Sequence, residues 1–217
     1  MEGENASGAA HLPTLSYYRQ NAQDLMRRTL DLDMEAVYEP FLDLLTEGAS
    51  LLDAGCGSGR DSRSFLEKGY KVTSFDASEE LVALASEYAG IPVLLMRFDE
   101  LRFEERFDGV WACASLLHVP RHEIDGAIAN LSRSLKPGGV FYASFRYGNG
   151  ETVADDGRLF NNYTERALEN LLGGHPELEI VALQRTEDAH RPDVTWLSVL
   201  LRKIKAAENP TRKAEAS

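Results

Sequence analysis

Asp53-Ala54-Gly55-Cys56-Gly57-Ser58-Gly59 follows the apolar run Ser50-Leu51-Leu52 and leads into Arg60-Asp61-Ser62-Arg63-Ser64-Phe65-Leu66. The order is strand, glycine turn, helix. Glycines at alternate positions permit a tight turn with positive φ and let backbone N–H groups approach a ligand with no Cβ in between. Asp76 closes the next apolar run, Tyr70–Phe75, about twenty residues on, where a carboxylate can accept from ribose hydroxyls. A GxG pair alone says little. A strand, GxGxG, a helix and a second strand ending in Asp, in that order, point to a nucleoside-bearing ligand.

The fingerprint of a dinucleotide site is GxGxxG, whose third glycine would fall at position 60, which is Arg60. The GK[ST] ending of a P-loop is absent. Asp53, two residues ahead of the first glycine, suits a cationic ligand, because a carboxylate there offsets an ammonium or sulfonium by charge-assisted contact. The loop therefore reads as a site for an adenosyl-sulfonium.

Outward from the loop, elements alternate. From Leu15 to about Leu45 the recurrence of Tyr18, Ala22, Leu25, Leu32 and Val37 predicts helix, interrupted by Pro40. Ser50–Ala54 reads as a strand, Asp61–Lys68 as a helix closed by Gly69, and Tyr70–Phe75 as a strand. Ser78, followed by Glu79 and Glu80, caps a helix that stops at Gly90. Pro92–Phe98 and Phe107–Ala114 are the next strands. Ile124, Ala127, Ile128, Leu131 and Leu135 form a 3.6-residue stripe ended by Pro137-Gly138-Gly139. Val140–Phe145 is a strand, and the Gly-, Asn- and Asp-rich stretch Arg146–Asn161 reads as a long mobile loop. Thr164–Leu172 is a helix, and Leu178–Arg185 and Val194–Arg202 are strands close enough to pair antiparallel. Such βαβα alternation predicts a mostly parallel sheet with helices on both faces. The expected organisation is a leader (1–13), one domain (14–205) whose first part (14–48) is a helical extension, and a flexible tail (206–217).

A formal net charge of −12 over 217 residues counts against non-specific binding to nucleic acid or anionic membrane. Arg202, Lys203, Lys205, Arg212 and Lys213 read as a solvated helix end. The longest charge-free apolar stretch, Gly109–Pro120, is too short to span a bilayer, and MEGENASGAAH has no signal-peptide pattern. Two cysteines, Cys56 and Cys113, give no disulfide framework or metal clip, so a cytoplasmic setting is expected. No His, Cys, Asp and Glu set has metal-ligand spacing.

From Leu51 to Ser144 the chain resembles the class I S-adenosylmethionine-dependent methyltransferases. Asp53–Gly59 is similar to their first motif, Val72–Ser78 with Asp76 to their second, and Leu135-Lys136-Pro137-Gly138-Gly139 to the turn before their fifth strand. The nearest members are small bacterial stand-alone enzymes of ubiquinone-biosynthesis-like and tellurite-resistance-like kinds. Ser74 stands where many members have glycine. The resemblance implies an α/β, Rossmann-like, doubly wound sheet of seven mostly parallel strands with an antiparallel last pair, and S-adenosylmethionine as cofactor. It places Asp53, Gly55, Cys56, Gly57 and Gly59 along the cofactor, Asp76 and Ala77 at the ribose, and Asp99 and Glu100 at the adenine amino group. Leu101 would pack on that ring, and Ala114 and Ser115 would line the methionine end. Tyr18, with Tyr17 and Asn21, falls on a helix that in this family covers the cofactor, where an aromatic face can stabilise a sulfonium.

Methyl transfer needs alignment more than side-chain chemistry, but a hydroxyl or ammonium acceptor needs a base. His118, just beyond the fourth strand, is the candidate base, with an ordinary imidazole titrating between about pH 6 and 7. His122 reads as a helix-start residue, and His11, His175 and His190 as peripheral. Arg146, Tyr147, Arg158 and Tyr163 flank the expected loop, where they can grip an anionic acceptor, while Trp196 reads as core. Ala112-Cys113-Ala114-Ser115 stands in place of an Asn-Pro-Pro-Tyr-like tetrad, against base-amino methylation. The expected activity is methyl transfer to a small-molecule acceptor. The alternatives are an RNA-directed enzyme, such as one modifying tRNA, and a non-catalytic module that binds the cofactor.

Overall fold

β1 (Ser50–Ala54), the strand that feeds the glycine loop, lies inside a seven-stranded sheet. The computed structural model describes residues 12–188, 191 and 193–204. Residues 1–11 of the expected leader and all of the expected tail lie outside the described residues, as do His11 and His190. The strand order is β3-β2-β1-β4-β5-β9-β8, with β2 at Lys71–Asp76, β3 at Val93–Leu95, β4 at Phe107–Ala112, β5 at Leu135–Arg146, β8 at Leu178–Glu187 and β9 at Thr195–Lys203. β1 to β5 run parallel, and β9 runs antiparallel to both β5 and β8. The fold is the expected Rossmann-like doubly wound sheet with an antiparallel last pair. Strand order reverses between β1 and β4, which opens a crevice at their carboxyl ends.

Alternation along each strand sends successive side chains to opposite faces. On one face Leu51, Trp111 and Val140 pack with Tyr38 and Phe41 of α3 (Glu35–Leu42) and Phe65 of α4 (Arg60–Glu67). On the other, Leu52, Val110 and Phe141 pack with Ile124 and Leu131 of α6 (Ile124–Ser134) and Leu168 and Leu172 of α7 (Glu165–Leu172). α5 (Glu79–Ala89) starts at Ser78, whose hydroxyl accepts from the Leu81 N–H, and approaches the loop so closely that a Cβ on Gly59 would sit 3.1 Å from Ala85.

Four expectations need correction. The helical extension is three short helices, α1 (Leu12–Gln20), α2 (Ala22–Thr29) and α3, and Pro40 lies inside α3 without ending it. Pro40 forgoes a single hydrogen bond while Tyr38 and Phe41 are buried, which offsets that loss. Pro92–Phe98 keeps only three strand residues before a 3-10 turn, Phe98–Glu100. Leu135-Lys136-Pro137-Gly138-Gly139 is the entry to β5, joined through an irregular register opposite Phe107 and Gly109, and is not part of the helix end. Arg146–Asn161 is no loose loop: β6 (Gly150–Val153) and β7 (Leu159–Asn162) form a hairpin. Asp156-Gly157, with Gly157 at φ +83°, supplies its turn, and Leu159, Phe160 and Asn161 are buried.

Candidate functional site

The glycine loop and the end of β2 are hydrogen-bonded into one unit. The Gly55 and Cys56 N–H groups both donate to the Phe75 carbonyl at 2.9 Å. The Gly57 and Ser78 N–H groups each donate to one oxygen of Asp76, both at 2.9 Å. That fixes the carboxylate while leaving each oxygen a further lone pair. Burial pushes the Asp76 carboxyl up, and these backbone donors oppose the shift.

Two glycines here are required for different reasons. Gly55 has φ +75°, and a Cβ would lie 2.6 Å from the Ser115 Cβ, itself held by a Ser115 hydroxyl bond to the Ala54 carbonyl at 2.6 Å. Gly57 has φ +55°, but a Cβ there meets only a Leu25 methyl at 3.8 Å, so the space over it belongs to the cavity. Gly55→Ala is therefore expected to cost stability, at least about 2 kcal/mol, or roughly 4–8 °C in Tm. A thermal melt unchanged from wild type would refute that close approach.

Asp53 lies behind the loop and does not line the cavity. It accepts from the Ser62 hydroxyl at 2.5 Å, and Ser62 in turn meets the Ser74 hydroxyl at 2.8 Å, which gives Ser74 a role that glycine could not fill. Burial and the neighbouring Asp61 charge push the Asp53 carboxyl up. Asp61 accepts from the Tyr38 hydroxyl at 2.5 Å, from Arg60 Nε at 2.6 Å and from the Trp111 indole at 2.8 Å. This buried acid ties α3, α4 and β4 together beneath the loop.

Above the loop lies a cavity of about 1120 Å³, beyond the roughly 300–1,000 Å³ of a site for one drug-sized ligand. Gly55, Cys56, Gly57, Asp76, Ala77 and Ser115 line one part of it. Ala114, also on its wall, takes φ +50°, and its N–H donates to the Ser144 hydroxyl at 2.8 Å. At the expected adenine end the walls are Met96, Arg97, Phe98 and Asp99. Asp99 is ion-paired with Arg97. Glu100 and Leu101 do not line the cavity: Glu100 accepts from the Arg97 N–H at 2.8 Å, and Leu101 is in the core. The 3-10 turn puts Phe98 on the wall in Leu101's place. The thiol of Cys56 is pushed up by burial and so stays neutral.

Tyr18 and His118 meet where α1 crosses the carboxyl end of β4. The Leu159 carbonyl, 2.7 Å from His118 Nδ1, can only accept, so Nδ1 carries the hydrogen. The bare Nε2 therefore accepts from the Tyr18 hydroxyl at 2.6 Å. Burial, with Arg158 and Arg146 nearby, lowers His118 to about 4. The ring is thus neutral at physiological pH, below the range expected of an ordinary imidazole.

The far end of the cavity lies on β5, β9 and β8, where the sequence pointed to Arg146 and Trp196 but not to the residues between them. Three cross-strand rows share it: Tyr142, Leu200 and Ala182; Ser144, Ser198 and Gln184; Arg146, Trp196 and Thr186. Trp196, expected as core, is half-buried: it packs against the core cluster and also stands on the cavity wall. The available signal was period-2 alternation of polar and aromatic residues in strands due to be buried. Of the four residues expected to grip an anion, Arg146 and Arg158 line the cavity, while Tyr147 and Tyr163 do not. Arg28, Thr29 and Leu32 of α2 and its C-terminal turn stand on the same cavity wall.

Residues 51–139 match the family model described as a methyltransferase domain. The chain is 35% identical over 112 residues to a ubiquinone biosynthesis O-methyltransferase of Paramagnetospirillum magneticum, covering 49% of this chain and 42% of that protein. It is 29% identical over 131 residues to an S-adenosyl-L-methionine-dependent Diels-Alderase of Neonectria, covering 55% and 51%. The chain thus spans about half the length or less of these curated relatives. A solved structure similar over 94% of both chains, with 26% identity and a TM-score of 0.76, is the 1,6-didemethyltoxoflavin-N1-methyltransferase of Burkholderia thailandensis with 1,6-didemethyltoxoflavin and S-adenosylhomocysteine bound. Motif, topology and glycine loop agree with these likenesses: residues 51–139 resemble a methyltransferase domain, and the chain as a whole has the fold of the S-adenosylhomocysteine-bound methyltransferase it matches.

Proposed function

We propose that the chain transfers a methyl group from S-adenosylmethionine to a small organic acceptor lying along β5, β9 and β8. The observation that carries this reading is one cavity that runs from Gly57 and Asp76 to the three strand rows, with room for two ligands. The open space over Gly57 and the doubly anchored Asp76 fit an adenosyl ligand.

The cofactor, when bound, supplies an electrophilic methyl group on sulfur. Asp76 would accept from the ribose hydroxyls with Ala77 beside them, and Gly57 would allow the close backbone approach. Met96 and Phe98 would flank the adenine, with Asp99 at its amino group. Ala114 and Ser115 would border the methionine end, and Asp53, pushed up to about 8 and hydrogen-bonded to Ser62, would brace the loop from behind. Holding acceptor and donor in line supplies roughly 7–11 kcal/mol in well-aligned cases. For a hydroxyl acceptor, the Tyr18 oxygen takes the proton as the Tyr18 hydrogen passes to His118 Nε2. The Diels-Alderase relative favours a second reading, in which the cofactor is held while bonds form within one substrate. We place the protein in the cytosol, its cysteines unpaired. Among the described residues no helix is long and apolar enough to cross a membrane.

Calorimetry tests the cofactor half. S-adenosylhomocysteine should bind without added metal, and Asp76→Ala should weaken it by about 10–100-fold, the scale of one hydrogen bond to a charged acceptor. Binding of NADH in place of S-adenosylhomocysteine would overturn the assignment.

A further inference from the structure

Among the described residues, the acceptor end of the cavity holds one guanidinium with no ion-pair partner. Arg146 ends β5, and its Nε is buried with no hydrogen-bond partner. Other arginines on the cavity wall are paired: Arg60 with Asp61, Arg158 with Asp156 and Arg191 with Asp188, each at 2.6 Å, and Arg28 with Asp24 at 2.9 Å. Among the described residues no carboxylate forms an ion pair with Arg146. A buried donor left unmet is unfavourable, more so on a charged group. The surroundings add to this, because burial and the neighbouring Arg191 and Arg158 all push the Arg146 pKa down. In a chain of net charge −12, this is a locally positive spot inside a cavity.

The geometry also says what shape of ligand fits. The Arg146 guanidinium lies 3.7 Å above the Phe160 ring, which covers one of its faces and leaves the N–H edges for hydrogen bonding. Trp196 is its cross-strand neighbour, fixed by an indole bond to Asp188 at 2.8 Å. One row away stand Ser144, Ser198 and Gln184, and beyond them Tyr142, stacked on Trp111 with ring centroids 4.0 Å apart. A planar fork of N–H donors matches the two oxygens of a carboxylate or phosphate. An indole beside it offers a flat apolar surface.

We propose that Arg146 is the anion-reading group of the acceptor site, and that the acceptor is a small planar organic oxyanion whose conjugated body lies against Trp196. A carboxylate and a phosphate monoester share this chemistry. The inference rests on the reading that this end of the cavity takes the acceptor.

The test is calorimetry on the full chain, with and without saturating S-adenosylhomocysteine, using benzoate, phenyl phosphate and the neutral benzyl alcohol as probes. One of the anions should bind at least about tenfold more tightly than benzyl alcohol, the scale of a hydrogen bond to a charged group. Arg146→Gln should remove that preference and leave S-adenosylhomocysteine affinity within about twofold. Arg146→Lys, which keeps the charge and loses the fork, should retain part of it. Equal binding of the anions and the alcohol, no anion binding, or a preference that survives Arg146→Gln would overturn the proposal. So would a loss of S-adenosylhomocysteine affinity in Arg146→Gln, which would assign the guanidinium to the cofactor's own carboxylate. Failure of wild type to bind S-adenosylhomocysteine would instead sink the cofactor reading, and the anion preference is then judged from the titrations without it.

Discussion

Gly57→Val is expected to weaken S-adenosylhomocysteine binding by at least about 100-fold while leaving a folded protein. The reason is where the new side chain goes. A Cβ at position 57 has only a Leu25 methyl within reach, at 3.8 Å, so the isopropyl group projects into the space above the loop without displacing the core. The positive φ of +55° does cost something for a β-branched residue, about 1–3 kcal/mol. Gly55→Ala should show the opposite balance, since its Cβ collides with Ser115 inside the fold. Calorimetry and thermal melting on both variants separate the two effects. Unchanged affinity in Gly57→Val would mean that the ligand does not lie over this loop.

That loop was legible in the sequence because local physics decides it. Glycines at 55, 57 and 59 all take positive φ, and Asp76 falls at the end of the adjacent strand. The α6 stripe and the Ser78 cap were legible for the same reason. What the sequence hid was set by tertiary contact. The hairpin at 150–162 has few apolar residues, and its order comes from partners far along the chain: Thr14 Oγ1 accepts from the Leu159 N–H, His118 donates to the Leu159 carbonyl, and Arg121 donates to Asn161. Its Asp156-Gly157 turn was a readable signal. Leu101 and Phe98 exchange places because a 3-10 turn changes which side chain faces inward, and periodicity over three residues cannot show that. The cavity wall formed by Arg146 with Trp196 depends on the register of β5 against β9, which pairs these residues fifty apart in the chain.

The second large effect concerns Tyr18 and His118. With a hydroxyl acceptor, Tyr18→Phe and His118→Ala should each lower turnover by about 10²-fold or more, the range of a positioned acid–base group. Because His118 sits at about 4, the wild-type rate should show no titration between about pH 6 and 7, where an exposed imidazole would give one. Stability gives an independent readout. The unfolded chain takes up a proton on His118 near pH 6.5, and the folded chain only near 4. The neutral ring's contribution to stability is therefore full above about 6.5 and is lost as pH falls toward 4, up to roughly 3 kcal/mol. Wild type should lose Tm faster than His118→Ala over that window. A rate step at pH 6–7 that disappears in His118→Ala would show an exposed, ordinary imidazole. Parallel melting curves would show that the ring is not held neutral.

Methyl transfer itself is tested most directly by following a labelled methyl group. The chain is incubated with S-adenosylmethionine carrying a ¹³C methyl and a pool of small conjugated acids and alcohols, with bulk tRNA in a parallel sample. The expected result is label in a small organic acid, formation of an equal amount of S-adenosylhomocysteine, and loss of both in Asp76→Ala. Label appearing in tRNA alone, or intact S-adenosylmethionine bound to the chain with its methyl group unmoved in every sample, would contradict the account.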